Sequence, residues 1–433
     1  IYTLLGEEKY RRATDLYFET FDGQAVTIND FLWAMSEAGG VDLTQFERWY
    51  HQNATPILEV QENFKEGIYE LTLMQKVPNT LNAEEQKPYY YPLKIGLLDE
   101  SGEEIVAQTL IVSQEKEVFM FKNLKSKPIV SLNRDFSAPI IIKKEENNFA
   151  FLMKHDTNSF VRFESAQVFA TQTIESMMQG ETINEEFVHA YGYLLDLDVD
   201  LSFKALLLEL PSISTLMQRQ DVIDFDLIYE ATENLEKHIA KVHKEKLLKL
   251  YLEYHNPLSN KIDSLSMAHR AIKNRCLKIL SALGEEAIVL LANTQYYNAR
   301  TMTDKIAALD ILENTDANVS TLALADFYKK YKEDTLVMNK YFSILAASSR
   351  EGTLDRVMAL QNDEAYDEKV PNLVRSLIGV FARNYKYFHA KDGKGYKFIA
   401  LKIIEIDKIN PQMASGLAGS FKIYAKMNKQ NKT

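Results

Sequence analysis

Apolar and polar positions alternate with two rhythms, in three successive stretches, along this chain of 433 residues. Up to residue 53 the apolar positions recur at helical spacing. From Gly6 to Phe21, Tyr10, Leu16, Tyr17 and Phe21 stand among charged neighbours, and the run stops at Asp22-Gly23. Thr27 with Asp30 three residues on predicts a capping box. Phe31, Ala34, Met35 and Ala38 would be the buried face of that helix, which Gly39-Gly40 ends. A further helix is expected from Asp42, capped with the help of Gln45, with Phe46, Trp49 and Tyr50 on one face. Pro56 disfavours a helical Thr55, and the pattern turns at once to alternation at Leu58 and Val60.

Residues 54–146 keep a period of two. Tyr69, Leu71 and Leu73 alternate, as do Leu93, Ile95 and Leu97, then Phe119 with Phe121 and Val130 with Leu132. Six of the ten prolines fall here (Pro56, Pro78, Pro88, Pro92, Pro128, Pro139), and Asp99-Glu-Ser-Gly102 supplies a hairpin turn. Six or seven short strands with turns between them predict a small β-sandwich, with Phe136-Ser-Ala-Pro139 as its closing strand. Nothing ionisable clusters in it, so its role is packing.

Residues 147–433 return to helical spacing with only four prolines. Phe151 to His155, Glu186 to Leu195, Phe203 to Leu210, Leu235 to Tyr251 and Ala268 to Leu283 are predicted helices. Short connections rich in Asn, Asp, Ser and Gly suggest an α-solenoid curling into a superhelix. No clean repeat period emerges. The expected fold is thus mostly α with a β domain, divided at 1–53, 54–146 and 147–433. About fifty residues with so much aromatic surface make a poor core alone, so the first segment calls for a partner.

Lys and Arg total 50 against 61 Asp and Glu, a formal charge of −11. That field repels phosphate backbones, which argues against nucleic acid as a partner. No apolar run approaches the ~20 residues of a membrane span. A single cysteine, Cys276, excludes an internal disulfide and fits a reducing compartment, the cytoplasm.

A zinc-peptidase helix needs two histidines one turn apart with a glutamate between them, so that both imidazoles reach one ion. Of the eight histidines (His51, His155, His189, His238, His243, His255, His269, His389) only His238 and His243 come close. Their spacing of five splays them by ~140° around a helix. The chain contains no H-E-x-x-H. Cys276 shares a face with Ile272 and Leu280 and reads as core packing. Gly393-Lys-Gly395 lacks the spacing of a phosphate loop and reads as a turn between helices. The runs Lys143-Lys-Glu-Glu146 and His243-Lys-Glu-Lys246 read as solvated faces.

The string Asp42-Leu43, Phe46, Trp49-Tyr50, Gln52, Thr55-Pro56-Ile57 resembles the junction between catalytic domain and β-domain in the bacterial aminopeptidase N family of zinc peptidases. Upstream, Tyr10-Arg-Arg, Leu16-Tyr-Phe18, Asp22 to Thr27 and Asp30-Phe31 resemble the tail of that catalytic domain. Downstream, His155 to Gln167 is similar to the family's F-x-R-W-x-A-x-Q string, departing at Phe163 (usually Trp) and Ser165 (usually Ala). Leu210-Pro-Ser212, Met302-Thr-Asp304, Arg375 to Gly379, Phe388-His389, Asp392-Gly393 with Gly395-Tyr396, and Asn410-Pro-Gln412 match in order. The resemblance therefore runs the length of the chain.

That resemblance implies a C-terminal piece of a cytoplasmic, monomeric zinc aminopeptidase that removes N-terminal residues from peptides. The chain would hold the end of a thermolysin-like catalytic domain, an immunoglobulin-like module and a helical bowl enclosing the site. The catalytic motifs would precede Ile1, and the family's last helical turns would follow Thr433. The implied partners are peptide substrates and the remaining domains, with no nucleic acid and no membrane. Zinc would belong to the intact parent and no cofactor to this piece, which alone would be inactive.

The one candidate site is the pair Asn372 and Arg375, after the acidic loop Asp363 to Glu368. Read locally, Asn372 caps a helix and Arg375 makes a surface ion pair. The resemblance instead puts both on the inner channel, where a forked, always-charged arginine suits peptide carbonyls or a carboxylate. Leu373 and Leu377 would then pack inward. A rival reading is a non-catalytic β-sandwich and α-solenoid scaffold that binds peptide or protein on its concave face.

Overall fold

The computed structural model describes residues 1–79, 86–144, 147–315 and 318–432. The pair Glu145-Glu146 of the second charge run lies outside them. The described chain forms two compact units, Ile1–Ala166 and Gln167–Thr433.

The first unit opens with helices Glu7–Phe21 and Ile28–Gly39. The capping box forms: Asp30 accepts from the Thr27 backbone at 2.7 Å and from its hydroxyl at 2.8 Å, and Gly40 ends the helix in the left-handed region at φ 64. Leu5, Ala13, Leu32, Met35 and Leu43 make a small core with Phe31 against it, so the buried face centres on Leu32 and Met35. Phe18 and Trp33 stay exposed.

The helix expected from Asp42 is mostly a succession of tight turns, with one short helix at Arg48–His51. Asp42 accepts from Thr44, and Gln45 does not cap. Its amide donates to Pro88 O at 3.2 Å and to Ser113 O at 2.6 Å, tying the segment to the sheets. Trp49 does the same, donating to Tyr90 O at 3.0 Å with its ring 4.2 Å from that of Tyr89.

Among the described residues seven strands follow: β1 Ile57–Lys65, β2 Ile68–Lys76, β3 Tyr91–Leu98, β4 Glu104–Val112, β5 Lys116–Phe121, β6 Ile129–Leu132 and β7 Ile141–Lys144. They form a sheet β5-β2-β1-β7 and a sheet β4-β3-β6. All described pairings are antiparallel except β1 with β7. Leu58, Val60, Leu71, Leu73, Leu93, Ile95 and Leu97 fill the space between sheets, as the period of two requires. The closing strand is β7, not Phe136 to Pro139. Asn133, Asp135 and Phe136 all have positive φ, which is incompatible with a strand. That turn aims Arg134 inward at Asp156, 3.1 Å away, and at Glu104.

The second unit is helical among its described residues, with caps at many starts: Asn184, Asp200, Ser212, Asp224, Asp263, Thr301, Asp334, Asn384 and Asn410 each accept from the first turn. The run expected as one helix from Leu235 to Tyr251 is two, Phe225–Val242 and Lys244–Tyr254. His243 at the break is buried against Gly192 and bonds Val188 O at 2.8 Å. In the run His243 to Lys246, therefore, Lys244, Glu245 and Lys246 reach solvent and His243 does not.

The array does not stay open. The segment before helix Phe225–Val242 meets the last residues, Ile223 pairing with Met427 as an isolated parallel bridge. Ile223 N donates to Lys426 O at 2.8 Å, and Lys391 pairs with Asp226 at 2.5 Å. The His389 ring stacks on Phe225 at 3.8 Å. The last residues of the helical unit thus close on the segment between helices Ile213–Arg219 and Phe225–Val242.

Candidate functional site

At that seam lies a cavity of about 1060 Å³. One wall is helix Ile213–Arg219 with Ile223; the others come from residues 371–385 and 410–426. The lining is mixed. Met217, Val374, Met413 and Leu417 give apolar surface, while Gly379, Ala382 and Gly416 leave space that larger side chains would occupy.

Arg375 stands on the wall of this cavity. The helix Pro371–Val374 starts with Pro371 and takes Val370 as its N-cap, so Asn372 does not cap it. Instead Asn372 Oδ1 accepts from Arg375 Nη1 at 3.0 Å. Among the described residues Arg375 makes no ion pair, so the locally expected surface pair does not form. Leu373 and Leu377 are buried, as the spacing requires. A π turn at Arg375–Gly379 widens the helix and lets Ser376, Leu377 and Ile378 all turn inward while Arg375 stays outside.

Sequence reasoning missed three further cations on the same wall: Arg383, Lys422 and Lys426. They sit on separate elements, so no local motif unites them. One signal was available. From Lys408 to Thr433 the chain has lysines and no Asp or Glu. Lys426 Nζ donates to Gln218 O at 3.1 Å and to Gln220 O at 3.0 Å, which fixes it at the seam.

The other sequence candidates stay apart from this cavity. His238 pairs with Glu185 at 2.9 Å, while His243 is held below its ordinary pKa by burial. The two rings share no ligand. Among the described residues no three His, Cys, Asp or Glu side chains converge as metal ligands would, so the residues present do not fit a zinc ion. Cys276 is buried and its thiol is pushed up to about 12 by burial, which removes the thiolate a nucleophile needs. Gly393 is a left-handed turn residue at φ 67, and Gly395 packs against the Phe388 and Tyr387 carbonyls. His389, behind the seam, bonds Tyr396 Oη at 2.9 Å and burial drives its pKa down to about 3.

Residues 146–433 match the family described as "Domain of unknown function (DUF3458_C) ARM repeats", and residues 54–145 match "Domain of unknown function (DUF3458) Ig-like fold". Aminopeptidase N of Escherichia coli is 33% identical over 96% of the chain and 50% of that protein. Aminopeptidase N of Haemophilus influenzae is 32% identical over 100% of the chain and 52% of that protein. The crystal structure of Legionella pneumophila aminopeptidase A in complex with aspartic acid superposes with a TM-score of 0.89 at 29% identity. It covers 100% of the chain and 52% of that structure. The chain spans about half the length of these relatives. An Ig-like sandwich followed by a large helical ARM-like domain, matched in sequence from end to end, means that this chain belongs to the DUF3458 family and is homologous to the C-terminal region of bacterial aminopeptidase N.

Proposed function

We propose that this chain is the substrate-enclosing part of a cytoplasmic, monomeric aminopeptidase that removes N-terminal residues from peptides. What carries the reading is Arg375 on the wall of the seam cavity, steadied by Asn372, in a chain homologous along its length to aminopeptidases. The Legionella relative, solved in complex with aspartic acid, adds support for a ligand of amino-acid chemistry.

In this reading the chain's residues bind and orient. Arg375 presents a planar donor set to a peptide carbonyl or carboxylate. Asn372, taking one of its N–H groups, limits its rotamers, so less entropy is lost on binding. Met217, Val374, Met413 and Leu417 offer apolar surface to side chains and displace water. In this reading hydrolysis, with the zinc implied for the intact enzyme, belongs to other parts of the parent. No helix among the described residues is long and apolar enough to cross a membrane.

The test is Arg375→Ala in the full-length enzyme. KM for tripeptides and longer peptides should rise ~10-fold or more, the size of a lost hydrogen bond to a charged group. Minimal aminoacyl-anilides should be turned over almost normally. A lower Tm with unchanged peptide selectivity would contradict the proposal.

A further inference from the structure

Arg375, Arg383, Lys422 and Lys426 all line the seam cavity, and among the described residues no Asp or Glu does. Nearby the same unit neutralises its cations: Arg219 with Glu175 at 2.8 Å, Lys391 with Asp226 at 2.5 Å, Lys386 with Glu233 at 3.7 Å. None of the four wall cations pairs with a carboxylate among the described residues. Lys426 and Arg375 are held by neutral oxygens, the Gln218 and Gln220 carbonyls and the Asn372 amide. Such bonds position a charge without cancelling it.

In a chain of formal charge −11 this is a reversal of sign at one place. Four like charges around one cavity repel, and an anion between them relieves that repulsion. The ligand is more than an inorganic ion. A cavity of about 1060 Å³ has the size of a small-molecule site, and its apolar wall of Met217, Val374, Met413 and Leu417 suits side chains. Both properties fit one ligand, a peptide carrying a carboxylate. We infer that the seam cavity is a carboxylate site for peptides, taking the C-terminal carboxylate or an acidic side chain. The inference rests on the peptide-enclosing reading and names the chemistry it selects.

The test is calorimetric binding to this chain of N-acetylated tetrapeptides in three forms: free acid, C-terminal amide, and amide with one internal Gln replaced by Glu. The free acid should bind ~10-fold or more tighter than the amide. If the Glu-bearing amide matches the free acid, acidic side chains serve as well as the C-terminus. A contrast carried by the Glu peptide alone assigns the site to side chains. In each case added salt should weaken the contrast. Arg383→Gln with Lys422→Gln, two exposed side chains, should abolish the contrast and leave the fold intact by circular dichroism. Gly416→Leu should do the same by filling the cavity, since a Cβ there meets nothing within 4 Å.

Equal affinity for all three peptides would overturn the inference, as would a contrast that survives both variants. These outcomes separate from failure of the peptidase reading. Full-length enzyme that cleaves peptides without regard to their carboxylates would retain that reading and lose this site.

Discussion

Lys273 and Asp304 should form the most sensitive point in the helical unit. Both are essentially removed from solvent, with side chains 1% and 3% exposed and Nζ 3.0 Å from Oδ1. Lys273 also reaches Gln295 Oε1 at 3.0 Å, and Asp304 Oδ1 accepts from Asn274 at 2.9 Å. Gln295 is completed by Tyr251 and by the Asp304 carbonyl. Burial holds the Lys273 ammonium below its ordinary pKa, against the pull of Asp304. Lys273→Met keeps most of the stem volume but leaves a buried carboxylate without its cation. Breaking such a pair costs ~3–5 kcal/mol. At ~2–4 °C per kcal/mol for a unit of this size, Tm should fall by ~6–20 °C. The double variant Lys273→Met/Asp304→Leu removes both charges and should be less destabilised than Lys273→Met alone. Urea unfolding followed by far-UV circular dichroism measures all three proteins. A cost below ~1 kcal/mol for Lys273→Met, the range of surface pairs, would mean that burial gives this pair no special weight.

Two further outcomes are expected. His389, with a folded pKa of about 3, stays neutral where the unfolded imidazole, near 6.5, takes a proton; the unfolded state then binds one more proton, so stability present above pH ~6.5 falls by ~1.4 kcal/mol per unit below it. Between pH 7 and 5 this amounts to ~2 kcal/mol, and His389→Phe should flatten the denaturation profile by that amount; an unchanged slope would contradict it. Gly96→Ala would drive a methyl group into the Arg134 guanidinium and displace its bonds to Asp156 and Glu104, costing ~3 kcal/mol, whereas Gly416→Ala, in an open helical position, should stabilise by ~0.5–1 kcal/mol; differential scanning calorimetry would show opposite shifts.

Where local chemistry decides, the sequence was a sound guide. Thr27 and Asp30 are three residues apart, and their capping box forms as the spacing requires. Asp99 to Gly102 turns as expected, with Gly102 N bonded to Asp99 O at 3.0 Å. The misreadings share a cause. Gln45 could cap a helix, but acceptors about forty and seventy residues away take its amide. Leu235 to Tyr251 keeps helical spacing throughout, and only the bond from His243 to Val188 O marks the break. Phe136 to Pro139 had strand-like composition, yet the positive φ values around Arg134 follow from a buried ion pair no local pattern announces. Of the four cations that line the cavity, the sequence reading singled out one. Arg375 stood in a recognisable string, while Arg383, Lys422 and Lys426 join it only through the packing of distant segments of the array, the last of which meets Ile223.

As proposed, this chain encloses substrate for chemistry done elsewhere in a larger peptidase. The most direct measurement compares purified chain with the polypeptide encoded by the complete reading frame, assaying zinc content and aminoacyl-anilide hydrolysis side by side. Chelator-sensitive turnover and about one zinc per molecule are expected of the complete polypeptide, and neither of the chain alone. Chelator-sensitive turnover by this chain alone, or a complete polypeptide that binds peptides without cleaving them, would contradict the proposal.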